Sequence, residues 1–124
     1  MTDQGATTAQ DHHGSCHCGA VAFDVQTSLE GLIECNCSWC RRTGNILAFV
    51  SPASFRLTAG EGAQTSYRFN SQNIDHLFCR TCGVASFGRG VGPDGQTMVA
   101  INVRCLDGVD PWSLQPARFD GAAL

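Results

Sequence analysis

The sequence predicts an all-β domain built from short strands, and three observations carry that prediction. Fourteen of the 124 residues are glycine, well above the usual ~7%, which favours turns over long helices. The apolar residues fall in short alternating runs closed by turn residues. Pairs and clusters of cysteine sit at the ends of those runs, where loops bring distant segments together. Charged residues make up 15% of the chain, too few for a coiled coil or a highly charged disordered chain. The length is that of one domain.

Taken in order, Met1–His13 is polar and aperiodic and reads as a flexible tail. His12 and His13 offer a metal-binding pair there, or a solvated tail. The folded domain is expected over residues 14–124. Ala20–Thr27 alternates, with Val21, Phe23 and Val25 on one face. Leu32–Cys37 begins as a strand and ends in a cysteine cluster, with a helical turn after Cys37. Ile46–Val50 is a short apolar run stopped by Ser51-Pro52. Ser54–Leu57 puts Phe55 and Leu57 on one side. Gln64–Phe69 alternates Tyr67 with Phe69, and Ile74–Phe78 leads into Cys79. Gly83–Gly90 holds Phe87. The turn Gly92-Pro93-Asp94-Gly95 precedes a buried strand over Thr97–Val103. A second helical turn is expected near Asp110–Leu114.

The cysteines carry the chemistry. Cys16 and Cys18 lie in a tight turn flanked by Gly14 and Gly19. Cys79 and Cys82 form a Cys-x-x-Cys turn followed by Gly83, which lets the chain bend back so that its amides face the sulfurs. Two such turns supply the four thiolates of a complete tetrahedral zinc site. Cys35, Cys37 and Cys40 form a separate cluster. Three ligands on one short segment leave the fourth position open, the pattern of a reactive zinc. Such a centre carries net negative charge and suits an incoming thiol, whose pKa falls on metal binding. The alternatives at this level are a structural site closed by Cys105 or a histidine, and disulfides throughout. Cys105 otherwise reads as a buried thiol. His17 and His76 stand near cysteines and either support the ligands or are ordinary, partly exposed histidines.

The N-terminus has no basic start followed by an apolar run, so a cytoplasmic protein is expected, where cysteines serve metals more than disulfides. No run approaches the ~18 apolar residues of a membrane helix. The net charge of −3 gives no footprint for nucleic acid or an anionic membrane. Exposed strand edges leave room for a homodimer.

The motifs Gly14-Ser-Cys-His-Cys-Gly-Ala-Val21, Cys35-x-Cys-x-x-Cys40-Arg-Arg-x-Gly44 and Phe78-Cys-x-x-Cys-Gly83 resemble the glutathione-dependent formaldehyde-activating enzyme (Gfa, or centromere protein V) family. Ile101-Asn-Val-Arg-Cys-Leu106 through Phe119-Asp-Gly121 is similar to its small bacterial members. The resemblance implies an Mss4-like zinc-binding β fold. It implies two zinc ions: a structural one on Cys16, Cys18, Cys79 and Cys82, and a catalytic one on Cys35, Cys37 and Cys40. The implied activity is that of a carbon–sulfur lyase, which condenses glutathione with formaldehyde to S-(hydroxymethyl)glutathione. On that reading Arg41 and Arg42 are candidates to pair with a glutathione carboxylate, or belong to a solvated loop. Trp39 either walls the substrate site or packs in the core, and His76 is a candidate proton donor. The rival functions are an Mss4-like binding module whose zinc serves folding alone, nucleic-acid association, and zinc buffering or redox sensing.

Overall fold

The computed structural model describes residues 9–68, 74–92 and 94–123. Ten strands follow one another in this part of the chain, with one short α-helix and a few 3₁₀ turns. β1 (Gln10–Ser15), β2 (Ala22–Thr27) and β5 (Phe55–Ala59) form a small antiparallel sheet in the order β1-β2-β5. The second sheet holds β3 (Ile33–Cys35), β4 (Leu47–Val50), β6 (Gln64–Tyr67), β7 (Ile74–Cys79), β8 (Phe87–Val91), β9 (Thr97–Asn102) and β10 (Ala117–Phe119). Its order is β10-β3-β4-β9-β8-β7-β6. All its pairings are antiparallel except β10 on β3, which is parallel.

The two sheets close on each other because each has one apolar face. Val21, Phe23 and Val25 are buried, as the alternation predicts, and meet Ala48, Val50, Phe87, Val99 and Ile101 of the larger sheet. Three rings join the layers: Phe23 lies 5.4 Å from Phe55 and 5.9 Å from Phe87, and Phe55 lies 4.7 Å from Phe87. The Arg89 guanidinium covers Phe55 at 5.7 Å, so the edge of the core is closed by a cation over an aromatic face.

Two strands depart from the sequence reading. β1 begins at Gln10, inside the stretch expected to be a flexible tail. It pairs along its whole length with β2, from Gln10 opposite Thr27 to Ser15 opposite Ala22. Two of its polar side chains, Asp11 and His13, are bonded across the strand pair. His13 Nδ1 bonds Asp24 at 2.9 Å, and Gln26 donates to Asp11 at 3.0 Å. Backbone pairing at a sheet edge needs no apolar alternation, so the segment carries no strand signal. His12 and His13 therefore lie in a strand. The second unexpected strand, β10, is three exposed residues long. The remaining strands and both helical turns fall where expected, within a residue or two at their ends, except that β8 starts at Phe87 and not at Gly83, because Gly83 and Val84 close the turn around Cys79. Phe69 and Pro93 lie outside the described residues, as do residues 1–8 of the expected tail.

Candidate metal centre

The first cluster is assembled by two similar turns at the ends of β1 and β7. In one, the Cys16 amide donates to the Val21 carbonyl at 2.9 Å and the Val21 amide donates to the Cys16 sulfur at 3.3 Å. In the other, the Cys79 amide donates to the Val84 carbonyl at 3.0 Å. The amides of Thr81 and Cys82 donate to the Cys79 sulfur at 3.4 and 3.5 Å. Gly83 takes a φ of +82°, which a side chain would strain, so that its amide closes the turn on the Cys79 carbonyl at 2.8 Å.

The four sulfurs lie within 4.8 Å of one another. Cys16–Cys18 is 3.7 Å and Cys18–Cys79 is 3.6 Å. Zinc–sulfur bonds of ~2.3 Å in a tetrahedron place sulfurs roughly 3.8 Å apart, so this donor set fits such an ion and is too open for disulfides. Its electrostatics point the same way. The Val84 and Cys18 amides pull the Cys82 thiol down to about 6. The Ala20 amide also favours a Cys18 thiolate, but the neighbouring sulfurs outweigh it and push Cys18 up to about 11. Cys82 is thus a ready thiolate, while Cys18 keeps a proton that a dication displaces.

The second cluster starts at the end of β3 and runs into α1 (Cys40–Thr43). The Cys37 amide donates to the Cys35 sulfur and the Cys40 amide to the Cys37 sulfur, both at 3.4 Å. The three sulfurs lie within 4.8 Å of one another, and no further cysteine, histidine or carboxylate joins the group among the described residues. Burial, followed by the neighbouring Cys37 sulfur, drives the Cys40 thiol upward. Burial also penalises a Cys37 thiolate, but the Cys40 and Trp39 amides and the flanking thiols outweigh it, and Cys37 ionises more readily than a free cysteine. The donor set suits a soft metal with one ligand missing.

Beside this cluster lies an open recess of about 440 Å³, lined by Ser38, Trp39, Arg42 and Tyr67. Tyr67 and His76 face each other on β6 and β7. Both rings pack on Trp39: Tyr67 is stacked at 5.5 Å and His76 tilted at 4.7 Å. Burial holds the His76 imidazole below its usual pKa against the pull of Asp75. Arg42 donates to the Ser38 carbonyl at 2.8 Å, which ties its guanidinium across the cluster's own loop.

The expected site residues therefore divide. Cys16, Cys18, Cys79 and Cys82 converge, as do Cys35, Cys37 and Cys40. Trp39 and Arg42 line the recess, and Arg41 does not. His17 is exposed on the first turn and belongs to neither sulfur group. Cys105 is half-buried, its thiol pushed up by burial, and stays out of both groups. A larger recess of about 500 Å³ on the small sheet is lined in part by His12, His13, Asp24 and Arg56. It holds no sulfur, and its histidines are in no ligand group. Ser38 and Tyr67 are the recess residues that sequence reasoning missed: Ser38 was legible only as a spacer between cysteines, and Tyr67 only as one member of an alternating strand.

A family model of the glutathione-dependent formaldehyde-activating enzyme matches residues 11–119. The chain belongs to this family. A crystal structure of a Rhodobacter sphaeroides protein is similar, at 33% sequence identity and a TM-score of 0.76. The match covers 86% of this chain and 97% of that one. Membership in the formaldehyde-activating family agrees with the β architecture and with sulfur clusters able to hold metal. Among the described residues, no helix is long and apolar enough to cross a membrane.

Proposed function

We propose that this member of the family joins glutathione to formaldehyde, giving S-(hydroxymethyl)glutathione, at the centre formed by Cys35, Cys37 and Cys40. One observation carries the reading: three convergent sulfurs, joined by no fourth donor among the described residues, opening beside an aromatic recess. In the reaction a sulfur–carbon bond forms as the carbonyl π bond breaks, and the thiol proton ends on the new hydroxyl. Zinc held by the three thiolates would supply an open Lewis-acidic position that favours the thiolate form of the substrate. Cys16, Cys18, Cys79 and Cys82 would hold a second, structural zinc in an Mss4-like domain.

The protein's own groups orient the reactants. Trp39, backed by Tyr67 and His76, gives the recess a rigid apolar wall that excludes water from one side. Arg42 sets a guanidinium at the rim, suited to a glutathione carboxylate. His76, whose imidazole burial holds below its usual pKa and which packs on Trp39, is the candidate to take the thiol proton and return it to the product oxygen. The reading places the enzyme in a reducing cytoplasm, where the eight thiols stay unpaired. Its partners are a small thiol and an aldehyde, and the acidic net charge suits neither nucleic acid nor an anionic membrane.

Native mass spectrometry of the reduced protein, with and without glutathione, tests this reading. Two zinc ions per chain and one retained glutathione are expected. One zinc, or two without thiol uptake, would leave a zinc-stabilised binding domain instead. Trp39→Ala is expected to keep both metals and to raise KM for glutathione roughly 2- to 10-fold. That is the value of an aromatic contact worth about 0.5–1.5 kcal/mol, and steady-state kinetics with glutathione varied would measure it.

A further inference from the structure

Asn36 lies between two of the three clustered cysteines, and its polar groups are engaged by the segment that follows β10. Its backbone amide donates to the Phe119 carbonyl at 3.2 Å. Its side-chain Nδ2 donates to Asp120 Oδ1 at 3.0 Å, and its Oδ1 accepts from the Ala122 amide at 2.9 Å. Both ends of one exposed amide are thus used on a turn 84 and 86 residues away. Between those two bonds sits Gly121. A Cβ built there would lie 2.5 Å from the Cys35 sulfur and 3.3 Å from the Cys37 Cβ. The parallel pairing of β10 on β3 brings the segment to this place, with Phe119 beside Cys35.

We propose that residues 120–123 form a strap that positions Cys35 and Cys37 for metal binding. Asn36 is the positioning residue that clips the strap to the cysteine loop. Gly121 is the residue whose missing side chain lets the strap seat against sulfur. The inference rests on the three-cysteine metal reading above. Its physical basis is that three soft donors on a loop of six residues have many arrangements, and only a few place all the sulfurs at one metal. Bonds to the backbone and side chain of Asn36 remove most of that freedom before metal arrives. The strap also occupies one flank of the Cys35 sulfur, so a fourth ligand cannot enter where Gly121 lies. The four-cysteine cluster has no contact with the strap in its hydrogen bonding and stands as an internal reference.

The test is zinc and cobalt titration of the full-length reduced protein against a competing chelator, with the cobalt–thiolate absorption as a second readout. Gly121→Ala and Asn36→Asp are each expected to weaken the second metal by about 10- to 100-fold, the usual cost of losing a group that supports a ligand. The tighter metal and the far-ultraviolet circular dichroism should not move. Combining Asn36→Asp with Asp120→Asn reverses donor and acceptor at the same total charge and still accepts from the Ala122 amide. This pair should recover most of the lost affinity. If the wild type takes up two metals and Gly121→Ala and Asn36→Asp match it, the strap is overturned while the metal reading stands. If the wild type takes up one metal, both fall together.

Discussion

Cys79→Ser is expected to leave the chain without its β structure at room temperature, as is removal of metal from the four-cysteine cluster by a strong chelator. Cys79 is 1% exposed and terminates β7. Its sulfur accepts two amide bonds and stands 3.6 Å from Cys18, 61 residues away. The cluster therefore fastens the end of β1 in the small sheet to the end of β7 in the large one. Structural zinc contributes about 10–16 kcal/mol in isolated zinc-finger peptides, against a typical domain stability of about 5–15 kcal/mol. A serine hydroxyl is a poor substitute ligand and would leave three crowded thiols with one site too few. Far-ultraviolet circular dichroism and thermal melting, with and without chelator, provide the measurement. Cys105→Ser is the control, since that thiol belongs to neither cluster. A loss of only a few degrees in the Cys79→Ser protein would mean that the two sheets hold together without metal.

Cys37→Ser is expected to have the opposite profile, with function lost and fold kept. Cys37 is the middle donor of its cluster: its amide donates to the Cys35 sulfur, and its own sulfur accepts from the Cys40 amide. Removing it takes away a ligand and unpins its neighbours. The variant should retain one zinc, melt within a few degrees of wild type, and lose at least about 100-fold in kcat/KM, because losing a mere supporting partner already costs ~10- to 100-fold. Formaldehyde-dependent consumption of glutathione thiol would then approach its uncatalysed rate in water. Retention of both metals and full turnover in Cys37→Ser protein would remove the cluster from the reaction.

The strands that build the core were legible because one face of each is buried. Val21, Phe23 and Val25 could not alternate so cleanly for another reason, and their burial follows. The cysteine turns were legible because ligand spacing is a local property of the chain. What could not be read is what depends on distant partners. β1 is held by backbone pairing and by side chains such as His13 and Asp24, none of them apolar. β10 is too short for any period. Tyr67 and His76 reach Trp39 only because β6 and β7 carry them there in register. Arg41 and Arg42 look equivalent in sequence, yet successive residues in a helical turn point roughly 100° apart. One lines the recess and the other does not. Asn36 and Gly121 show no local signal, since their meaning lies in each other's neighbourhood.

The pairing of Asn36 with Ala122 across 86 residues also orders events in time. A chain emerging from a ribosome at about 5–20 residues per second exposes the three-cysteine loop for roughly 4–17 seconds before its fastening segment exists. Cys18 waits only 61 residues for Cys79. During synthesis all four cysteines of the first cluster therefore emerge before the strap, while β8, β9 and β10 are still to follow. The open loop meanwhile remains a loose thiol trio, too poorly organised to compete for the same ion. The three-cysteine loop is thus the last part of the domain to be fastened, by the final segment of the described chain.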